Sequence, residues 1–292
     1  MGRSSGTDYA QVLNWSPDGR VCPVYIFDRS KAADIDLNMS SATQSILTER
    51  PESRSARGFP GFSSAAITFL RGLERHNTRE WFQPRKHTYE EHVRRPLEAL
   101  VNAINSELAE FAPRYVTPVK KAVFRIYRDT RFSKDKRPYK THVAATFYLQ
   151  NLAKAAGPCF YFHFTSKELL VFAGVYMPER DELLAIRNLL AEKYEAFRGI
   201  VRGRALRSAM GELKGEQLSR VPKGFDKDHP AEDLIRRHQW FLETTLDGSL
   251  ITSTRMLPAL VSRFRAANPM IEFLAQPFIH PSRPRRLPFT AF

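Results

Sequence analysis

HVAATFYLQ at 142–150, CFYFHFT at 159–165 and ELLVFAGVYM at 168–177 make up the stretch whose reading decides the fold. All three runs are rich in β-branched and aromatic residues, which suit a pleated, buried surface. The links between them are short, which predicts an antiparallel meander. Alternation within FYFHF puts Tyr161 and His163 on one face of the sheet and Phe160, Phe162 and Phe164 on the other. A sheet with one all-phenylalanine face and a Tyr/His face has a core on the first side and a candidate site on the second.

Working outward, KAVFRIYR at 121–128 also alternates and predicts a further strand, with Arg125, Tyr127 and Asp129 sharing a face. WFLETTL at 240–246 predicts a fifth. Helical spacing frames this middle region. Ser63 is a candidate N-cap for a helix carrying Ala66, Ile67, Leu70 and Leu73. Asn77 is another candidate cap, with Glu80 three residues on. Tyr89, Val93, Leu97, Leu100, Ile104, Leu108 and Phe111 form an apolar stripe, and Pro96 within it predicts a kink. Pro178 opens a helix bearing Leu183, Ile186, Leu190, Phe197 and Val201, with Arg187 on its flank. Two further helices are predicted at 253–267 and 269–277. Central strands with helices at both ends predict an α+β fold, one mainly antiparallel sheet flanked by helices.

The chain has 292 residues, of which 42% are hydrophobic, enough for a sizeable core. Residues 1–57 lack helical periodicity and predict an extension, disordered or additional to the natural chain, with Met39 as a second candidate start. VCPVYIF at 21–27 has strand character but no evident partner. Residues 58–278 are expected to form a single domain, and 279–292 a flexible Pro/Arg tail. Net charge is +14, and residues 57–278 hold 36 basic against 24 acidic side chains. The charge therefore belongs to the folded part and favours an anionic partner. Two distant cysteines, Cys22 and Cys159, suit a reducing cytoplasm and neither a disulfide framework nor a metal cluster. No apolar run approaches the length of a membrane span, so no membrane insertion is expected. P-loop, dinucleotide GxGxxG, HExxH and GxSxG signatures are absent, and nothing calls for a cofactor or metal.

Chemistry concentrates in KKAVFRIYRDTRFSKDKRPYKTH at 120–142, where nine Lys or Arg stand against Asp129 and Asp135. Arginine forks bind phosphate or carboxylate bidentately, and lysines add point charge. Candidate ligand-binding residues are Arg125, Tyr127, Arg128, Arg131, Lys134, Lys136, Lys140 and, from the VPKGF turn at 221–225, Lys223. His163, Asp129 and Tyr139 are the candidates for proton transfer.

Residues Arg125–Thr141 also carry a resemblance. The string R-I-Y-R-D-T-R-F-S-K-D-K-x-P-Y-K-T resembles the hallmark of a family of conserved hypothetical proteins, domain of unknown function 2461. NTREWF at 77–82 and PKGF at 222–225 resemble two further elements of that family. The resemblance spans roughly 59–277 and implies no catalytic residues. The expectation is a cytoplasmic protein with a basic site for a small anion bearing phosphate or carboxylate, with enzymatic activity left open. The alternative is a non-enzymatic module for nucleic acid or an acidic protein. A third reading folds the block inward as a structural ion-pair network.

Overall fold

The computed structural model describes residues 58–150, 152 and 156–279, together with the backbone of two strands nearer the N-terminus. Those strands, β1 (Ala10–Trp15) and β2 (Val21–Ile26), pair antiparallel with Asn14 opposite Cys22. The strand expected at 21–27 thus has a partner. The second start at Met39 and the tail beyond 279 lie outside the described residues.

Five helices lead into the main sheet: α1 (Ser64–Arg75), α2 (Arg79–Phe82), α3 (Lys86–Tyr89), α4 (Arg95–Phe111) and α5 (Val119–Ala122). Then come β3 (Val143–Tyr148), β4 (Cys159–Phe164) and β5 (Glu168–Val175). After α6 (Arg180–Arg202), α7 (Arg204–Met210) and α8 (Glu232–Ile235), the chain returns as β6 (Trp240–Asp247) and ends in α9 (Met256–Ile279). The four strands β3 to β6 form an antiparallel sheet in chain order, and the fold is α+β as expected.

Register makes the two faces unlike. Ala145, Phe162 and Val171 lie in one cross-strand row, and Phe147, Phe160 and Ala173 in another. This face is buried against the helices: Phe264 of α9 meets the Phe160 and Phe147 rings at 5.0 and 6.1 Å. The opposite face carries the rows Ala144–His163–Leu170 and Thr146–Tyr161–Phe172. It is also buried, in a smaller cluster with Cys159 and Phe241. At the β5–β6 edge Gly174 has φ +144°, and a Cβ there would run into the backbone of Trp240 and Phe241. Glycine is thus required at this close approach of the two strands.

Three expectations about elements need correction. Residues 121–128 are not a continuous strand. They begin inside the turn of α5, and only Val123 bridges to β3, at Ala145. Beyond that point the segment pairs with its own return instead: Tyr127 bridges Tyr139, Arg128 N–H donates to Pro138 O (2.9 Å), and Lys140 N–H donates to Ile126 O (2.8 Å). The kink expected at Pro96 is realised as a π-helical turn, Glu90–Arg94, just before it. Pro96 follows directly within a continuous helical run, Arg94 and Arg95 both being helical, so the wide turn falls where the proline removes a backbone donor. The two closing helices are one, α9, with Pro269 inside it. Burial of Ala267, Met270, Ile271 and Leu274 around that proline offsets the lost backbone bond.

Candidate functional site

Cross-pairing of 126–128 with 138–140 turns the basic block into a short arm that leaves the sheet beside β3 and carries the loop 129–137 at its tip. Its base is anchored in the core. Tyr139 is buried and stacks on Phe82 with ring centroids 4.1 Å apart. Asn77 clamps the Tyr139 backbone from both sides: its Nδ2 donates to Tyr139 O and its Oδ1 accepts from Tyr139 N–H, each at 3.0 Å. Asn77 is therefore a brace, not the helix cap expected of it. Thr78 caps α2, its hydroxyl accepting from Trp81 N–H at 3.3 Å. Asn77 and Tyr139, 62 residues apart in the chain, meet here, so Tyr139 is a packing residue.

The loop ties up much of its own charge. Asp129 accepts the Arg131 fork, Nε at 3.1 Å and Nη2 at 2.7 Å, and also the Arg131 backbone N–H. These bonds, with Arg125 nearby, hold its carboxyl below the usual range. Asp135 accepts the Arg137 fork in the same i, i+2 geometry, and Arg128 Nη1 at 2.7 Å. Its carboxyl is held well below the usual range, chiefly by Arg137 and then by Arg128. Lys136 Nζ donates to Thr130 O at 2.9 Å. Arg125 and Lys134 are exposed and form no ion pair among the described residues. At the tip Phe132 is 71% exposed, beside the Arg131 guanidinium, and Tyr127 is 44% exposed.

A second group of basic residues gathers at the root of the arm, on the Tyr/His face of the sheet. Lys140 is buried with its ammonium 5.1 Å from the Phe124 ring centre. His142 and His163, diagonal neighbours across β3 and β4, have ring centroids 5.1 Å apart. Tyr161 lies 5.7 Å from His163 and 6.0 Å from Phe124. Burial pushes the His142 imidazole far below its ordinary range, and His163, Lys140 and Arg128 push it further. Burial lowers His163 to about 4. Four basic groups, Arg128, Lys140, His142 and His163, thus gather at one corner of the sheet. Both imidazoles are neutral at pH 7 and can accept a proton or donate one hydrogen bond each.

The expected site residues therefore divide. Arg128, Lys140 and His163 come together. Arg125, Asp129 and Arg131 form a neighbouring group on the arm, and Lys134 and Lys136 ride the loop. Lys223 is exposed on a turn whose Gly224 has φ +97°, and no contact among the described residues links it to the arm. Sequence reasoning missed His142. The signal was strand parity, since a residue opposite Thr165 in an antiparallel pair shares its face with His163.

Residues 65–273 match a family described as conserved hypothetical protein (DUF2461). The chain belongs to that family. No curated protein matches it. Among the described residues no helix is long and apolar enough to cross a membrane.

Proposed function

We propose that this member of the family is a cytoplasmic anion-binding protein whose ligand carries a phosphate or carboxylate. The observation that carries this reading is the gathering of Lys140, His142 and His163 at one corner of the sheet, beside the Asp135-paired Arg128. Packing basic groups together raises the free energy of each charged form, and an oxyanion among them reverses that cost. The neutral imidazoles give the site proton donors and acceptors as well as charge. Binding of an anion there favours the protonated forms of His142 and His163, so affinity rises as pH falls toward 5.

Thermal-shift titration with inorganic phosphate, nucleotides and sugar phosphates tests the reading. A saturable rise in melting temperature is expected, larger at pH 5.5 than at pH 7.5 and weakened in Lys140→Met. A folded Lys140→Met variant that responds as the parent does would overturn it.

The exposed tip of the arm favours a second reading. Phe132 and Tyr127 stand among Arg125, Arg131, Lys134 and Lys136, and exposed rings among cations suit stacking on single-stranded nucleic acid.

A further inference from the structure

Away from the arm, α6 carries a guanidinium with an unusual environment. Arg187 is 8% exposed, yet it forms no ion pair among the described residues. Its Nε and Nη2 both donate to one acceptor, the backbone carbonyl of Arg237, at 3.3 and 3.1 Å. That bifurcated contact uses one edge of the fork and leaves the Nη1–Nη2 end without a described acceptor. Nη1 makes no hydrogen bond among the described residues.

The 236–237 segment adds positive charge. Arg237 Nη1 donates to Gly215 O at 3.1 Å, while its Nε is enclosed without an acceptor. Arg236 Nε is in the same condition, with its Nη2 on Gln217. Of the carboxylates flanking this segment, Asp233 pairs with Arg198 at 2.7 Å while also acting on Arg237, and Glu216 pairs with His238 at 2.9 Å. Burial lowers the basicity of both Arg187 and Arg237; at Arg237 the Asp233 carboxylate offsets part of that, and at Arg187 nothing among the described residues does. A buried cation is strongly disfavoured unless an anion meets it.

We propose that the free end of the Arg187 guanidinium binds an oxyanion, carboxylate or phosphate, between α6 and the 236–239 segment that leads into β6. Two in-plane oxygens match the Nη1–Nη2 end of the fork, and the Arg237 carbonyl holds the fork in place from the other edge. This site is separate from the Lys140 corner and does not depend on it.

The test is a thermal-shift and calorimetric titration of the full chain with sodium phosphate and sodium acetate at fixed ionic strength. The parent, Lys140→Met, Arg187→Lys and the double variant are compared. Lysine keeps the charge but lacks the fork, so the fold is expected to survive while affinity drops at least tenfold. A saturable response that remains in Lys140→Met and disappears when Arg187→Lys is added to it establishes the second site. A response lost in Lys140→Met but intact in Arg187→Lys overturns it and leaves the Lys140 reading standing. No saturable response in either anion overturns it as well. Arg187→Met provides the same comparison without the charge.

Discussion

His142 and His163 have a thermodynamic signature that can be read without knowing the ligand. Both imidazoles are less basic in the folded chain than in the unfolded one, whose histidines titrate near 6.5. Above that pH both states hold them neutral and there is no effect. As pH falls through 6.5 toward 4, the unfolded chain takes up protons first, and stability is lost. A shift to about 4 makes the His163 share about 3 kcal/mol in full. Urea midpoints should therefore fall between pH 7 and pH 4.5, and His163→Gln should flatten the slope. An unchanged slope in that variant would show the imidazole to be accessible to protons. Asp129 and Asp135, held below their ordinary range in the folded chain, add a loss of their own only as pH falls through about 4, where the unfolded carboxylates take up protons, so the histidine slope is read above about pH 5. Asn77 makes a second residue-scale prediction. Removing its amide orphans a buried N–H and a buried carbonyl of Tyr139, about 1–3 kcal/mol each. Asn77→Ala should lower the melting temperature by on the order of 10 °C. A loss of a degree or two would mean that water replaces both bonds.

At the scale of elements, the strands β3, β4, β5 and β6 were legible because each combines alternation with β-forming residues. The segment 121–128 shows the same alternation and is not a strand of the sheet. Its second half finds closer partners in 138–140, a short way downstream, than along the edge of β3. Pro138 lacks an N–H but still accepts through its carbonyl, so it fits a two-stranded arm better than a sheet interior. Pro269 misled the reading of α9 in the opposite sense, since the burial that holds the helix together around it is supplied by distant residues. The β5–β6 junction is the element most sensitive to a small change. Gly174→Ala combines a φ unfavourable to side chains with a collision against β6 backbone. The expected cost is roughly 2–5 kcal/mol. Chemical denaturation that finds less than ~1 kcal/mol would mean that β6 shifts to admit the methyl group.

For the whole molecule, the question is which anion meets the net charge of +14. The two readings of the arm differ in how they respond to salt. Nucleic acid lying along the exposed tip would neutralise several phosphates at once. Its affinity would then fall steeply, by ~10³-fold or more between 50 and 200 mM salt for six contacts. A small anion enclosed at the Lys140 corner is screened far less and should lose only a few fold. Fluorescence anisotropy with a labelled single-stranded oligonucleotide, beside calorimetry with phosphate, measures both. Oligonucleotide binding that barely changes with salt would exclude the exposed tip as a nucleic-acid surface. In that comparison Phe132→Ala should weaken the oligonucleotide and leave phosphate untouched.

The sequence by itself determined the fold class, the strands of the main sheet, the family, and the place of the basic block just ahead of β3. These follow from local periodicity and composition, which act within a few residues of the chain. It also marked Arg128, Lys140 and His163 as candidates by residue type. Only the tertiary structure decided which cations act together. Arg131 and Arg137 are taken by aspartates two residues away, Tyr139 by Phe82 and Asn77, and Arg187 by a backbone carbonyl 50 residues off. His142 entered the site only once the register of β3 on β4 placed it beside His163. The physical reason is that residue type sets what a side chain can bind, whereas burial and contacts across long sequence separations set what it has left to bind with.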